Sequence, residues 1–163
     1  MTSKITTVGI VGAGTMGSGI AQVCAQAGYK TLIFDVNKDL AQNAIGVITD
    51  NLNGAIKRGK LSEDEKNTAL SNLTAVNLLS DLKADLIIEA VVEKLGIKQN
   101  LFIELESINE GKAILATNTS SIPVTQIATV LKKPARCIGV HFFNPAHIMK
   151  LVEIISGAST SLE

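Results

Sequence analysis

At 163 residues, with 46% apolar and 18% charged residues and a formal net charge of zero, the chain has the profile of one folded domain. That excludes a second domain of ordinary size, a disordered chain, and nucleic-acid or membrane binding driven by bulk charge. No apolar run reaches bilayer-spanning length and MTSKITT carries no signal-peptide core, so a cytoplasmic protein is expected.

The first stretch, Ile5 to Gln26, runs from a β-branched apolar strand into a long helical pattern through Gly12, Gly14 and Gly17. Gly12 permits a tight turn out of a buried strand, and Gly14, lacking a Cβ, lets a pyrophosphate approach the backbone. Gly17 allows close packing of helix on strand. With Ala13, Thr15 and Met16 between and beside them, these glycines put the free N–H groups of a helix start toward a phosphate, so all six are candidate cofactor residues. Gly28 suits a helix C-cap, and Thr31 to Phe34 reads as a second buried strand. Asp35 ends that strand 21 residues after Gly14. A carboxylate there accepts both hydroxyls of an adenosine ribose and repels a 2′-phosphate, which favours NAD over NADP.

From Lys38 to Arg58, apolar residues recur every four positions at Leu40, Ala44, Ile48, Leu52 and Ile56, predicting a long helix that ends in Lys57-Arg58-Gly59-Lys60. These cations fit either a solvated helix end or a clamp for the phosphates of a large anionic substrate. Ser62 and Glu65 make a capping box for a short second helix. The pair, about residues 38–72, reads as an insertion able to project from the sheet. A weak strand near Thr74 to Val76 follows.

Further on, Ala84 to Ala90 is a continuous apolar strand, Glu93 to Ile108 a helix and Ala113 to Thr117 another buried strand. Pro123 opens a helix to about Leu131, which Ser121 is expected to cap. Cys137 to Val140 is a strand, HFFNPAHIM a loop and Lys150 to Ile155 the last strand. Strands apolar on both faces and separated by helices predict a Rossmann-type, doubly wound α/β domain with a mostly parallel sheet and an inserted helical pair. Cys24 and Cys137 lie at no metal or redox spacing and read as small buried residues in a reducing compartment, and no metal set is apparent.

Ligands of such sheets gather outside the carboxyl ends of the strands. Glu89 and Glu93, Asn118 to Ser121 and His141 to Asn144 all fall at or just past those ends and are expected to converge on the nicotinamide half of the cofactor, with Ala90 a further candidate cofactor residue. His141 is open to two readings, a packing residue or a proton acceptor. Glu153, 12 residues on, supports the second if the last strand folds back beside it, because a carboxylate fixes the imidazole tautomer and raises its basicity. Ser120 is open to two readings, a plain helix cap or a hydrogen-bond donor to a substrate oxygen. His147 reads as a surface residue.

Taken together, VGIVGAGTMGSGIAQ, LIIEAVVEKLGIKQNLF, ATNTSSI and GVHFFNPAHIMKLVEII resemble the N-terminal domain of the L-3-hydroxyacyl-CoA dehydrogenases, and most closely the bacterial 3-hydroxybutyryl-CoA dehydrogenases. The resemblance covers about residues 5 to 157. It implies NAD-dependent oxidation of a 3-hydroxyacyl-CoA, or the reverse, in fatty-acid β-oxidation or butanoate metabolism. It further implies His141 as base, Glu153 as its orienting partner, and Ser120 and Asn144 at the reacting oxygen and the nicotinamide. Glu93 and Lys98 would be cofactor contacts at the start of one helix, along with Asn118. Asn51 and Arg58 would meet CoA on the helical arm, where the family often carries Ser and Lys. His147 stands where the family often has proline.

Family members continue into a helical domain that closes over the acyl group and makes most of a homodimer contact. Residues 1–160 therefore read as the NAD-binding domain and Ser161 to Glu163 as a tag junction. On its own the chain is expected to bind NAD but turn over poorly. A binding module without chemistry is the alternative.

Overall fold

The computed structural model describes residues 4–161. Among these residues seven strands form one sheet: β1 (Thr7–Val11), β2 (Lys30–Phe34), β3 (Leu73–Ala75), β4 (Leu86–Glu89), β5 (Ile114–Thr117), β6 (Cys137–Phe142) and β7 (Val152–Ser156). Their order is β3-β2-β1-β4-β5-β6-β7, parallel throughout except for the antiparallel β6–β7 pair at one edge. The order reverses between β1 and β4, which is where a crevice opens outside the strands' carboxyl ends.

Among the described residues five α-helices cover the sheet: α1 (Thr15–Gln26), α2 (Lys38–Lys57), α3 (Glu63–Ser71), α4 (Leu95–Ile108) and α5 (Val124–Ala128). Alternate strand residues feed two cores. Val8, Ile10, Ile33 and Ile88 pack with Ile20 of α1 and Ile48 and Leu52 of α2. Val11, Leu32, Ile87 and Leu115 pack with Phe102 and Leu105 of α4 and Ile127 of α5. Each such side chain, taken fully from water, contributes about 1.5–3 kcal/mol before the entropy of ordering is set against it.

The helical pair connects β2 to β3, and its inner stripe, Ala41, Ala44, Ile48 and Leu52, is buried against α1 and the sheet rather than held clear of it. The capping box forms as expected: Glu65 N–H donates to Ser62 Oγ at 3.2 Å, and Ser62 N–H donates back to Glu65 Oε2 at 2.8 Å.

Several predicted boundaries move. The helix expected from Glu93 starts at Leu95, because Glu93 turns its carboxylate to the loop after β5 and its backbone stays outside the helix. The Pro123 helix ends at Ala128, and no Ser121 cap forms, since Ser121 Oγ donates to Glu93 instead. Thr119 Oγ1 takes the Ile122 N–H at 2.9 Å. The strand at Cys137 extends to Phe142, so His141 sits in the ladder and not in the loop, because the returning β7 supplies it with a partner. Ser161 N–H is bonded to Ala135 O, while Leu162 and Glu163 of the expected tag junction lie outside the described residues.

Candidate functional site

The glycine loop leaves β1 at Gly12, whose φ of +97° suits only glycine and whose added Cβ would lie 2.6 Å from Ala90 O. A Cβ on Gly17 would lie 1.7 Å from Gly12 O, so α1 rests directly on the loop backbone. Gly14 differs, because a Cβ there would meet nothing within 4 Å. Open space therefore faces the backbone at the position where a phosphate is expected. No side chain among the described residues caps α1, leaving the N–H groups of Thr15, Met16 and Gly17 for a ligand.

Asp35 is bonded into this loop. Its Oδ2 accepts the Ala13 N–H at 2.8 Å and its Oδ1 the Asn37 N–H at 2.9 Å. The Ala13 N–H is thus already engaged, and the anion donors are shifted one residue onward, to Gly14 and the first turn of α1. Two lone-pair sites of the carboxylate stay open for ribose hydroxyls.

Beyond β4, β5 and β6 the chain assembles a second half. Met16, Glu93, Asn118, Ser120, His141 and Asn144, along with Ala90 and Lys98, line a cleft of about 340 Å³. Asn118 Oδ1 accepts the Phe142 N–H at 2.8 Å, fastening the β5 loop to β6. His141 and Glu153 are directly opposed in the β6–β7 register, and His141 Nδ1 lies 2.9 Å from Glu153 Oε2. With Nδ1 so occupied, Nε2 is the nitrogen left for proton exchange. The Phe143 ring stands 4.8 Å from the imidazole, centre to centre. His147, expected on the surface, is half-buried.

Glu93 is the junction of this wall. Its Oε1 accepts the Thr119 hydroxyl, the Ser120 N–H at 3.2 Å and the Ser121 N–H at 3.3 Å, while Oε2 lies 3.1 Å from Lys98 Nζ. Burial works to raise its carboxyl, but the Thr119 hydroxyl, the Lys98 ammonium and the Ser121 N–H outweigh it and hold the group at about 2. Lys98, expected as a cofactor contact, has its ammonium buried between Glu93 and Glu89. Thr119 joins this cluster as the strand-end set anticipated, but Glu89, expected to converge on the nicotinamide, is fully buried beneath the wall and does not line the cleft, because Lys98 and the Thr117 hydroxyl claim its carboxylate. Thr117 was absent from the sequence-derived site.

Asn51 and Arg58 do not join the cleft. The Asn51 amide donates to Gln22 Oε1 of α1 at 3.1 Å, and the Arg58 guanidinium folds back along α2 against Gly54. One turn along α1 from Gln22, the Ala146 methyl sits against Gly19. The arm and the loop after His141 therefore flank neighbouring positions of one helix. The cysteines are inert, since burial pushes both thiols up to about 12. Among the described residues no group of histidines, cysteines and carboxylates is arranged to hold a metal, and no helix is long and apolar enough to cross a membrane.

Comparison with known proteins gives a consistent result. The family model described as 3-hydroxyacyl-CoA dehydrogenase, NAD binding domain, matches residues 7–163. The chain is 43% identical to the 3-hydroxyadipyl-CoA dehydrogenase of Escherichia coli K12 over all of its own length and 34% of the relative's. It is 41% identical to the 3-hydroxybutyryl-CoA dehydrogenase of Bradyrhizobium diazoefficiens, covering 98% of this chain and 55% of that protein. A crystal structure of 3-hydroxybutyryl-CoA dehydrogenase from Escherichia coli K12 superposes with a TM-score of 0.95 at 42% identity, over 98% of this chain and 34% of that one. The chain thus spans roughly a third to just over half of these relatives.

Proposed function

The chain belongs to the 3-hydroxyacyl-CoA dehydrogenase family, as its NAD-binding domain, and from that premise we propose that its cleft carries out the proton half of 3-hydroxyacyl-CoA oxidation, or of the reverse reduction. The observation that carries this reading is the His141–Glu153 pair, 2.9 Å apart on the wall of a cleft that Ser120 and Asn144 also line. A domain that only bound a dinucleotide has no use for an imidazole backed by a carboxylate.

In this reading Gly14 and the first turn of α1 take the pyrophosphate of NAD and Asp35 takes the adenosine ribose. The residues fit the group, since the loop is open only at Gly14 and its free donors all point to a helix start. When bound, NAD supplies the acceptor, and NADH the donor, of hydride. His141 Nε2 removes the proton of the substrate's C3 hydroxyl, and Glu153 stabilises the resulting imidazolium through Nδ1. Ser120 and Asn144 orient the reacting oxygen. In the reduction direction the same histidine returns the proton.

The CoA moiety belongs along the arm, and the nearness of Asn51 and Ala146 to one face of α1 supports a path from the arm to the cleft. The division into an NAD-binding domain that needs a further helical domain for turnover and for pairing of two copies is part of this proposal, as is action in the cytoplasm. Reduction of acetoacetyl-CoA by NADH tests it. The chain is expected to bind NADH, to turn over at least tenfold more slowly than a full-length relative, and to lose about 10²-fold of that rate in His141→Gln. An unchanged rate in the variant removes the histidine from the mechanism.

A further inference from the structure

Glu89 is a carboxylate with no exposed surface, placed at the end of an apolar strand. Burying such a charge is costly unless every oxygen is satisfied. Here both are. Oε1 takes Lys98 Nζ at 2.6 Å and the Val91 N–H at 2.7 Å, and Oε2 takes the Thr117 hydroxyl at 2.7 Å. One side chain thereby ties β4, β5 and α4 together beneath the cleft wall.

We propose that Glu89 is a positioning residue for the Thr119–Ser121 turn, acting through Lys98 and Glu93. The Lys98 ammonium is 1% exposed and has its shortest partner in Glu89. From that anchored place it reaches Glu93 at 3.1 Å. Glu93 is more than a third exposed, so without the ammonium its side chain is drawn toward water. Held in place, it collects the Thr119 hydroxyl and the N–H groups of Ser120 and Ser121, and this turn presents Ser120 to the cleft. Two carboxylates share one ammonium, so the cluster keeps one net negative charge. That charge is directed at backbone N–H donors, where it makes strong, short-range bonds.

The proposal rests on reading the cleft as the cofactor and substrate site. A purely structural role for Glu89 would also explain why it is buried, so the test separates the two. Glu89→Gln takes away the closer of the two carboxylates of Lys98, and with it the anchor of that buried ammonium, leaving only the partly exposed Glu93 opposite it. Glu89→Gln combined with Lys98→Met replaces the ion pair with neutral groups of similar shape and removes that defect. Site-resolved amide hydrogen exchange at Ser120 and Ser121, thermal melting, and NADH titration are measured on wild type and both variants.

In Glu89→Gln, exchange at both serines is expected to rise, and NADH affinity to fall, by roughly tenfold, the scale of one weakened bond to a charged group. The double variant is expected to recover the melting temperature while exchange stays fast and NADH stays weak. Recovery of all three in the double variant overturns the proposal, as does unchanged exchange in Glu89→Gln. Should Glu89→Gln not fold, the double variant decides alone. A wild-type chain that fails to bind NADH overturns the cofactor reading instead, while the exchange measurement still decides the role of Glu89.

Discussion

Gly14 and Gly17 stand three residues apart in one motif, and the structure predicts opposite consequences of adding a methyl group at each. On Gly17 the new Cβ would lie 1.7 Å from Gly12 O and 2.8 Å from its carbonyl carbon. Relief requires about 1.5 Å of movement between helix and strand backbones that cannot rotate away as a side chain would. Gly17→Ala is therefore expected to cost at least the 1–3 kcal/mol typical of overpacking. On Gly14 the Cβ meets no protein atom within 4 Å, and the φ of −70° suits alanine. Only the poorer N-cap character of alanine counts against it, about 0.5–1 kcal/mol. The same methyl occupies the approach to the N–H groups at the start of α1. Losing one bond from those donors to a phosphate costs about 1.5–3 kcal/mol, or roughly 10- to 150-fold in Kd. Thermal melts and NADH fluorescence titrations on the two variants decide the matter. Gly14→Ala should melt near wild type and bind poorly, and Gly17→Ala should melt early. If Gly14→Ala binds NADH within about threefold of wild type, the pyrophosphate does not pass over this glycine.

Other outcomes follow from single features of the fold. Glu93 is held at about 2 in the folded chain, below its ordinary 4.5, so its contribution to stability is present above pH 4.5 and lost as pH falls toward 2. Urea midpoints measured across that range should fall more steeply for wild type than for Glu93→Gln, and parallel curves would contradict the bonding described here. Ser62→Ala removes the capping box of α3 and should destabilise by about 1 kcal/mol without changing NADH affinity, as read by melting and titration. Ile148, Leu151 and Ile154 are each more than half exposed around the edge strand β7. Concentration-dependent association in sedimentation velocity, reduced by Ile154→Lys, is the expected result.

The doubly wound class was readable because β1, β2, β4 and β5 are apolar runs, each followed by a helix-period segment. The glycine loop and Asp35 were readable because local backbone demands dictate them. What spacing did not carry is where polar side chains spend their hydrogen bonds. Ser121 looks like a helix cap in sequence, yet Glu93 claims its hydroxyl. Ala13 looks like a phosphate donor, yet Asp35 takes its N–H. Glu89 and Lys98 meet only after α4 is laid over β4, a tertiary contact that no periodicity encodes. The return of β7 beside β6 was an assumption in sequence terms, because the stretch of mixed polarity from Phe143 to Leu151 gives no rule for its own path.

Cross-strand pairing at the sheet edge also bears on how this protein can vary. His141 and Glu153 are opposed by the β6–β7 ladder, with Phe142 opposite Val152 and Val140 opposite Ile154 on either side. Their spacing in the chain is therefore incidental, while their ladder position is not. Residues added to or removed from the intervening loop leave the pair intact as long as the ladder re-forms in place. A slip of one position turns the carboxylate to the opposite face of the sheet, and the imidazole loses its support with no change at either residue. Length changes between Phe143 and Leu151 should thus be far better tolerated than any change that lets β7 slide.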